Sequence, residues 1–115
     1  MLRTLMAVEF TAPEVLGARS QAGRGAEYSL SADVYSIGML LWMLASRERP
    51  WHPMRYEEIV SAVKLSQRPP KPCERCPVGW QELMYACWAQ NPHSRPSSQA
   101  CVRRLEAISV HIVRG

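Results

Sequence analysis

Residues 31–46, Ser-Ala-Asp-Val-Tyr-Ser-Ile-Gly-Met-Leu-Leu-Trp-Met-Leu-Ala-Ser, are the stretch of the chain that decides the fold. Ser31 can supply an N-cap oxygen, and the run from Val34 to Ala45 is almost entirely apolar. This run is shorter than the roughly 20 residues that a membrane span needs. A helix that is apolar on nearly every side is surrounded by protein. The pattern therefore predicts a central buried helix near residues 31–46.

Amphipathic helices are predicted on the C-terminal side of this stretch. Apolar residues recur at helical spacing over positions 56–63, and Pro53 is suited to the first turn of that helix. A second apolar period covers residues 80–88, and a third begins near Ser97. No alternating strand pattern or internal repeat occurs. The sequence predicts an all-α domain.

Composition limits the functions that are open to the chain. Its 115 residues are 47% apolar and 21% charged, which suits one globular domain. The 14 basic residues outnumber the 10 acidic ones but are scattered singly or in pairs, so we expect no nucleic-acid partner. Asp33 is the one aspartate, so a mechanism that requires two aspartates cannot be completed within these residues.

The N-terminal residues and the cysteines indicate the cellular compartment. Glu9 interrupts the apolar start before a secretory signal of useful length accumulates. No segment is apolar for long enough to cross a membrane. Four cysteines without a signal peptide suggest a reducing compartment. We therefore predict a cytoplasmic protein with no membrane partner.

A C-x-x-C motif raises a zinc hypothesis. Cys73 and Cys76 would need two further ligands for a structural zinc site. The candidates for those ligands are Cys87, Cys101, His52 and His93. Cys87 and Cys101 lie on the apolar faces of predicted helices, where a free cysteine behaves as a small hydrophobe. A zinc-binding helical module is therefore the interpretation that we rank last, and no metal site is expected.

Five motifs follow one another in an order that resembles a known family. They are Ala12-Pro13-Glu14, Asp33 to Gly38, Arg68-Pro69-Pro70, Cys87-Trp88, and Pro92 with Arg95 and Pro96. Together they resemble the second half of the C-lobe of a protein kinase, and the last motifs are similar to tyrosine kinases and tyrosine-kinase-like kinases. The resemblance covers roughly residues 5–109. It implies that residues 1–115 are one partial kinase domain, beginning inside the activation segment.

The resemblance also implies roles for particular residues. Glu14 would pair with Arg95 and so tie the end of the activation segment to the lobe. Asp33 would accept hydrogen bonds from the backbone of the catalytic loop. The peptide-binding loop would consist of Ala7, Val8, Glu9, Phe10 and Thr11. This loop lacks the Gly-Thr usual in serine/threonine kinases and is nearer to the tyrosine-kinase form, so the substrate hydroxyl is left open.

The implied function is phosphoryl transfer from ATP to serine, threonine or tyrosine hydroxyls of protein substrates, with magnesium as the cofactor of the full-length family. That chemistry needs a Gly-rich loop, a strand lysine, an H-R-D aspartate and a D-F-G aspartate. These 115 residues contain none of them. We therefore expect no catalytic residue, no bound cofactor and no activity from this chain alone. The alternative is a non-catalytic interaction module of a signalling protein, with docking partners or self-association through exposed apolar surface.

Overall fold

The computed structural model describes residues 8–17, 29–72 and 74–114, and within those ranges every regular element is helical. The prediction of an all-α fold is therefore confirmed. The helices are α1 (Pro13–Gly17), α2 (Ser29–Ser46), α3 (Tyr56–Lys64), α4 (Val78–Cys87) and α5 (Ser98–Arg114), with 3₁₀ turns at Val8–Phe10 and Pro92–Ser94. In the part of the chain so described, no helix combines the length and the apolar character that crossing a bilayer requires.

The predicted central helix is α2, which begins two residues earlier than residue 31. It packs chiefly against α4, and its buried side chains form the middle of the core: Val34, Tyr35, Met39, Leu41 and Trp42. The two helices approach closely at Gly38. A Cβ placed there would lie 2.9 Å from Cys87 Cβ and 3.1 Å from the Met84 carbonyl oxygen. The glycine is therefore required by packing.

One face of α2 differs from the prediction. Leu30 is 78% exposed, and Leu40 and Leu44 are also exposed, although the sequence suggests burial on nearly every side. Hydropathy alone cannot tell which faces of an apolar helix the neighbouring elements cover. Within the described ranges, α2 is therefore buried on its α4 side and open along the stripe that carries these leucines.

The start of α3 also differs from the prediction. Pro53 lies in the turn before the helix, which begins at Tyr56. The Glu58 carboxylate accepts a hydrogen bond of 2.8 Å from the Arg55 amide and so satisfies a donor ahead of the first turn. This local cap fixes the start of the helix three residues beyond the proline.

The segment between α4 and α5 is shaped by two side-chain caps. Asn91 Oδ1 accepts from the His93 amide at 2.9 Å, which stabilises the 3₁₀ turn that begins at Pro92. Ser97 Oγ accepts from the Ala100 amide at 3.1 Å and caps α5. Arg95 lies between these caps in extended conformation, so its side chain extends from a fixed backbone into the interior.

Candidate functional site around Arg95 and the peptide-binding loop

Arg95 is the buried charge at the centre of the site. Its Nη1 and Nη2 donate to the two carboxylate oxygens of Glu14 at 2.8 and 2.9 Å, and its side chain has no exposed surface. Its remaining N–H groups donate to the carbonyls of Ala89 at 2.8 Å, Ser31 at 2.9 Å and Gln90 at 3.4 Å. Arginine has five N–H donors, and here each of them has an acceptor. The guanidinium therefore joins α1, α2 and the segment after α4.

Tyr35 forms an aromatic layer beside this guanidinium. The Arg95 Cζ lies 5.2 Å from the ring centroid, and the Arg68 Cζ lies 5.1 Å from it. Both distances fall within the range of cation–π attraction. The ring is fully buried, and the Tyr35 hydroxyl has no hydrogen-bond partner among the described residues. Desolvation by burial raises the pKa of Tyr35 to about 12, although the two arginines oppose that rise.

Arg68 is the second guanidinium beside the tyrosine ring. Its Nε donates to the Trp88 carbonyl at 2.9 Å, and its Nη2 donates to Gln90 Oε1 at 2.7 Å. Its Nη1 donates to the carbonyl of the neighbouring Gln67. Burial lowers the pKa of the Arg68 guanidinium. The proline-rich connector is therefore attached to the end of α4 by the arginine that precedes its prolines.

The described part of the predicted peptide-binding loop is anchored to α2. Val8 is buried, and Phe10 packs against the core. Ser36 Oγ in α2 donates to the Phe10 carbonyl at 2.8 Å, and the Thr11 amide donates to the Val8 carbonyl at 3.1 Å. Ala7, the first residue of the predicted loop, lies outside the described residues.

A second ion pair supports the same loop from the segment after α2. Arg49 Nη2 lies 2.7 Å from Glu9 Oε2. The Arg49 side chain is 71% exposed, whereas that of Glu9 is 14% exposed. The Ser36 hydrogen bond thus joins the loop to α2, and the ion pair joins it to the segment after α2.

Asp33 lies apart from the contacts made by Glu14 and Arg95. It is exposed near the start of α2 and lines a cleft of about 330 Å³, whose walls include Ile37, Arg95 and Pro96. The catalytic-loop backbone that the resemblance assigns to it is not among these 115 residues. Its role stays a prediction, as do the functional roles of Glu14, Arg95 and the loop.

That this chain alone binds neither ATP nor magnesium stays a prediction. Magnesium at such a site is held by carboxylates together with substrate phosphates, and Asp33, the chain's single aspartate, stands without a second acidic residue in the walls of its cleft. No group of three or more His, Cys, Asp or Glu in the described ranges could hold a metal ion. Cys73 of the zinc hypothesis lies outside those ranges, while Cys87 and Cys101 are buried against each other.

Sequence reasoning missed the part of the site formed by Tyr35 and Arg68. The Arg68-Pro69-Pro70 motif belongs to the family resemblance, but no periodicity indicates that Arg68 contacts residues 20 and 22 positions away. Tyr35 occurs inside an apolar run and reads as a core residue. No signal in the sequence could have found this pair, because the cation and the aromatic residue are 33 positions apart and meet only in three dimensions.

Known proteins with similar sequences are protein kinases. The "probable serine/threonine-protein kinase drkA" of Dictyostelium discoideum is 38% identical over 100 residues, which are 86% of this chain and 14% of the relative. Human "mitogen-activated protein kinase kinase kinase 11" is 32% identical over 103 residues, or 90% of this chain and 11% of the relative. Rat "ephrin type-A receptor 5" is 30% identical over 102 residues, or 88% of this chain and 9% of the relative.

The chain thus spans at most about a seventh of the length of these relatives. The family profile described as protein tyrosine and serine/threonine kinase matches residues 2–105, which include Glu14, Asp33, Arg68 and Arg95. Because this match takes in most of the chain and all the described elements of the site, the chain belongs to the protein tyrosine and serine/threonine kinase family.

Proposed function

We propose that this chain is the substrate-side part of an ATP-dependent protein kinase catalytic domain. In that domain it holds the peptide-binding loop, while residues outside these 115 supply nucleotide binding and phosphoryl transfer. The single observation that carries the proposal is the doubly hydrogen-bonded pair of Glu14, which follows that loop, and the buried Arg95. This pair supports the proposal because it fixes the chain at the end of the loop, and phosphoryl transfer depends chiefly on positioning and electrostatic stabilisation.

Anchors within the loop and after it support this proposal. Within the loop, Ser36 donates to the Phe10 carbonyl and Arg49 pairs with Glu9. After the loop, Arg95 pairs with Glu14. The intervening residues therefore have little freedom to move relative to α2. A rigid loop suits the alignment of a substrate hydroxyl, and the substrate class that follows is a protein side-chain hydroxyl in extended peptide.

We also propose that the complete kinase acts in the cytoplasm as a signalling enzyme of tyrosine-kinase-like type. Support comes from the R-P-P connector and from the loop without Gly-Thr. The single polypeptide of 115 residues, in contrast, is proposed to be inactive. It contains no H-R-D or D-F-G sequence, and the one aspartate lies on α2.

A chimeric kinase tests the proposal directly. The segment of human mitogen-activated protein kinase kinase kinase 11 that aligns with this chain over 103 residues is replaced by the corresponding residues of this chain. We expect the chimera to transfer phosphate from ATP and magnesium to a protein substrate. A chimera carrying Glu14→Gln should lose at least tenfold in rate, because the loop loses its C-terminal anchor.

The matched control is Glu57→Gln, which removes the same charge from an exposed position in α3. It should leave the rate unchanged. A folded chimera that never transfers phosphate, or one that is equally active with Glu14→Gln, would contradict the proposed role. Calorimetry on the isolated chain completes the test: no magnesium-dependent ATP binding is expected, and binding at ordinary kinase affinity would show that the inactivity proposal is wrong.

A further inference from the structure

Two buried thiols face each other across the α4–α5 contact. Cys87 is the last residue of α4, and Cys101 lies in the first turn of α5, where its amide donates to the Ser97 carbonyl. The two Sγ atoms are 3.6 Å apart. Neither side chain has more than 2% of its surface exposed.

The backbone around these thiols is held firmly. The Cys87 Cβ is the atom that a side chain at position 38 would meet first, so α2 packs directly behind it. The Trp88 amide donates to the Met84 carbonyl and closes the end of α4. Both cysteines lie at the ends of packed helices, so the backbone holds their sulfur atoms next to each other.

We propose that Cys87 and Cys101 form an intramolecular disulfide when the chain meets a hydroperoxide, and that this bond locks α4 to α5. A disulfide requires an S–S distance of about 2.05 Å. The sulfurs must therefore approach by about 1.5 Å, a movement that side-chain rotation and small helix shifts can provide. The proposal is independent of the kinase activity.

The reaction balances in two steps. One cysteine thiolate attacks the peroxide, breaking the O–O bond, and becomes a sulfenic acid while the other oxygen leaves as water. The second thiol gives up its proton, and its sulfur displaces the sulfenic oxygen as a second water molecule, forming the S–S bond. Two thiols are oxidised by two electrons, and one hydroperoxide is reduced to two molecules of water.

Burial makes this reaction slow in the folded chain. Desolvation raises the pKa of the Cys87 thiol to about 12, so little of it is thiolate at neutral pH. The pair therefore differs from an exposed redox sensor, and we expect it to respond to sustained rather than brief oxidation. Close contact favours the disulfide over further oxidation, because the resolving thiol lies beside the sulfenic acid as soon as that acid forms.

The consequence lies in the segment that the bond would enclose. The two cysteines are 14 positions apart, and the segment between them carries Arg95 together with its acceptors Ala89 and Gln90. A cross-link restricts the unfolded chain across this segment. The oxidised chain should therefore keep its Arg95 contacts to higher urea concentrations than the reduced chain does.

The test uses the full 115-residue chain with hydrogen peroxide. Because Cys73 and Cys76 could form a competing disulfide, both are changed to serine in the working variant, which leaves Cys87 and Cys101 as its cysteines. After oxidation under native conditions, the variant is unfolded and alkylated with N-ethylmaleimide, and its mass is measured by mass spectrometry. We expect a monomer lighter than the reduced form by two hydrogen atoms that takes up no maleimide, and linked peptides containing Cys87 and Cys101.

Adding Cys101→Ala to the working variant provides the matched control, and it should give no intramolecular bond. Urea unfolding gives the second measurement: oxidation should shift the midpoint upward, and dithiothreitol should reverse the shift. The inference is overturned if both cysteines still take up maleimide, if they form only sulfinic or sulfonic acids, or if the disulfide joins two chains. An unchanged midpoint in the disulfide form would overturn the proposed lock.

Discussion

Two arginine–glutamate pairs hold the same stretch of chain, and they differ in their surroundings rather than in their length. Arg95 and Glu14 are 2.8 Å apart, and Arg49 and Glu9 are 2.7 Å apart. The Arg95 side chain is completely buried and donates five hydrogen bonds, whereas the Arg49 side chain is 71% exposed and makes one contact with Glu9.

The comparison shows that contact distance does not determine what an ion pair contributes to stability. An exposed pair exchanges hydration for a screened attraction and contributes about 0–1 kcal/mol. A buried pair has already lost its hydration, so removing one partner leaves a charge without compensation and costs about 3–5 kcal/mol. The two pairs therefore predict effects of very different size, although their geometry is almost the same.

Removing Arg95 or Glu14 should have the largest effect. Either Arg95→Ala or Glu14→Ala should lower the free energy of unfolding by about 3–5 kcal/mol. Arg95→Ala should cost more than Glu14→Ala, because it also leaves the carbonyls of Ser31 and Ala89 without their donor. A domain has a free energy of unfolding of about 5–15 kcal/mol in total, so either variant should lose a large share of it. Urea unfolding followed by circular dichroism measures both losses.

The double variant sharpens this test. Its loss should be little greater than that of the worse single variant, since the second substitution removes a charge that no longer has a partner. Additive losses, or losses within about 0.5 kcal/mol as at exposed pairs, would show that Glu14 and Arg95 do not behave as a buried pair.

The close packing of α2 against α4 at Gly38 should give the next largest effect on the free energy of unfolding. Gly38→Ala would place a methyl group 2.9 Å from Cys87 Cβ and 3.1 Å from the Met84 carbonyl oxygen. Backbone cannot move aside easily, so we expect a loss of about 1–3 kcal/mol from overpacking. The push on α4 should also displace the carbonyls of Ala89 and Gln90 that Arg95 uses.

Gly79→Ala provides the matched control for this substitution. Its added methyl meets the Ile108 Cγ1 atom at 3.1 Å, the side chain of a residue that is only partly buried. It should therefore cost less than Gly38→Ala, and the helical preference of alanine offsets some of the loss. Equal losses in thermal unfolding would show that the close approach of α2 and α4 is not what requires Gly38.

Helices α2 to α5 were predictable from the sequence because they depend on local patterns, whereas no pattern predicted α1. Apolar spacing indicated α2, α4 and α5. A serine cap was right for α5 but not for α2, because Ser31 lies inside that helix. The pattern did not predict that α2 leaves Leu30, Leu40 and Leu44 exposed, since coverage depends on which other elements meet that face. The prediction that Pro53 lies in the first turn of α3 was wrong, because the cap formed by Glu58 starts the helix later in the chain.

The candidate site was predictable only in part. The proximity of Glu14 and Arg95 was suggested by resemblance to a family and not by any pattern, because the two residues are 81 positions apart. The contact of Tyr35 with two guanidinium groups was not suggested at all. Contacts over such separations depend on the complete packing of α2 against the segments on either side of α4, and no short window of sequence carries that information.

Substitution of Tyr35 should change the free energy of unfolding less, and it should raise it. Tyr35→Phe removes a buried hydroxyl that has no hydrogen-bond partner among the described residues, and it keeps the ring near the guanidinium groups of Arg68 and Arg95. A buried unsatisfied group costs about 1–3 kcal/mol, and losing its packing offsets part of this. We expect the variant to be more stable by about 1 kcal/mol at neutral pH in urea unfolding. The exposed Tyr85→Phe is the control and should change nothing measurable.

Alkaline pH tests the same residue with a definite sign. The unfolded tyrosine loses its proton near pH 10, whereas burial raises the pKa of Tyr35 to about 12 in the folded chain. Above pH 10 the unfolded state binds fewer protons, so stability falls as the pH rises toward 12. Tyr35→Phe should remove this part of the decline and leave the part due to Cys87, whose thiol pKa is also raised to about 12. If the free energy of unfolding falls equally in the unsubstituted chain and in Tyr35→Phe, the proposed burial of the hydroxyl would be contradicted.

The exposed pair should give the smallest effect, and it also tests the comparison most severely. Arg49→Ala should lower the free energy of unfolding by no more than about 0.5–1 kcal/mol, and the loss should shrink in 1 M NaCl, where the screening length is about 3 Å. A cycle with Glu9→Gln separates the attraction between the two charges from the packing of either side chain. Because Glu9 is much less exposed than Arg49, Arg49→Ala should cost slightly more than Glu9→Gln. A salt-independent loss of 3 kcal/mol or more would mean that the Glu9 carboxylate behaves as a buried charge, and that exposure of the arginine alone does not separate the two pairs.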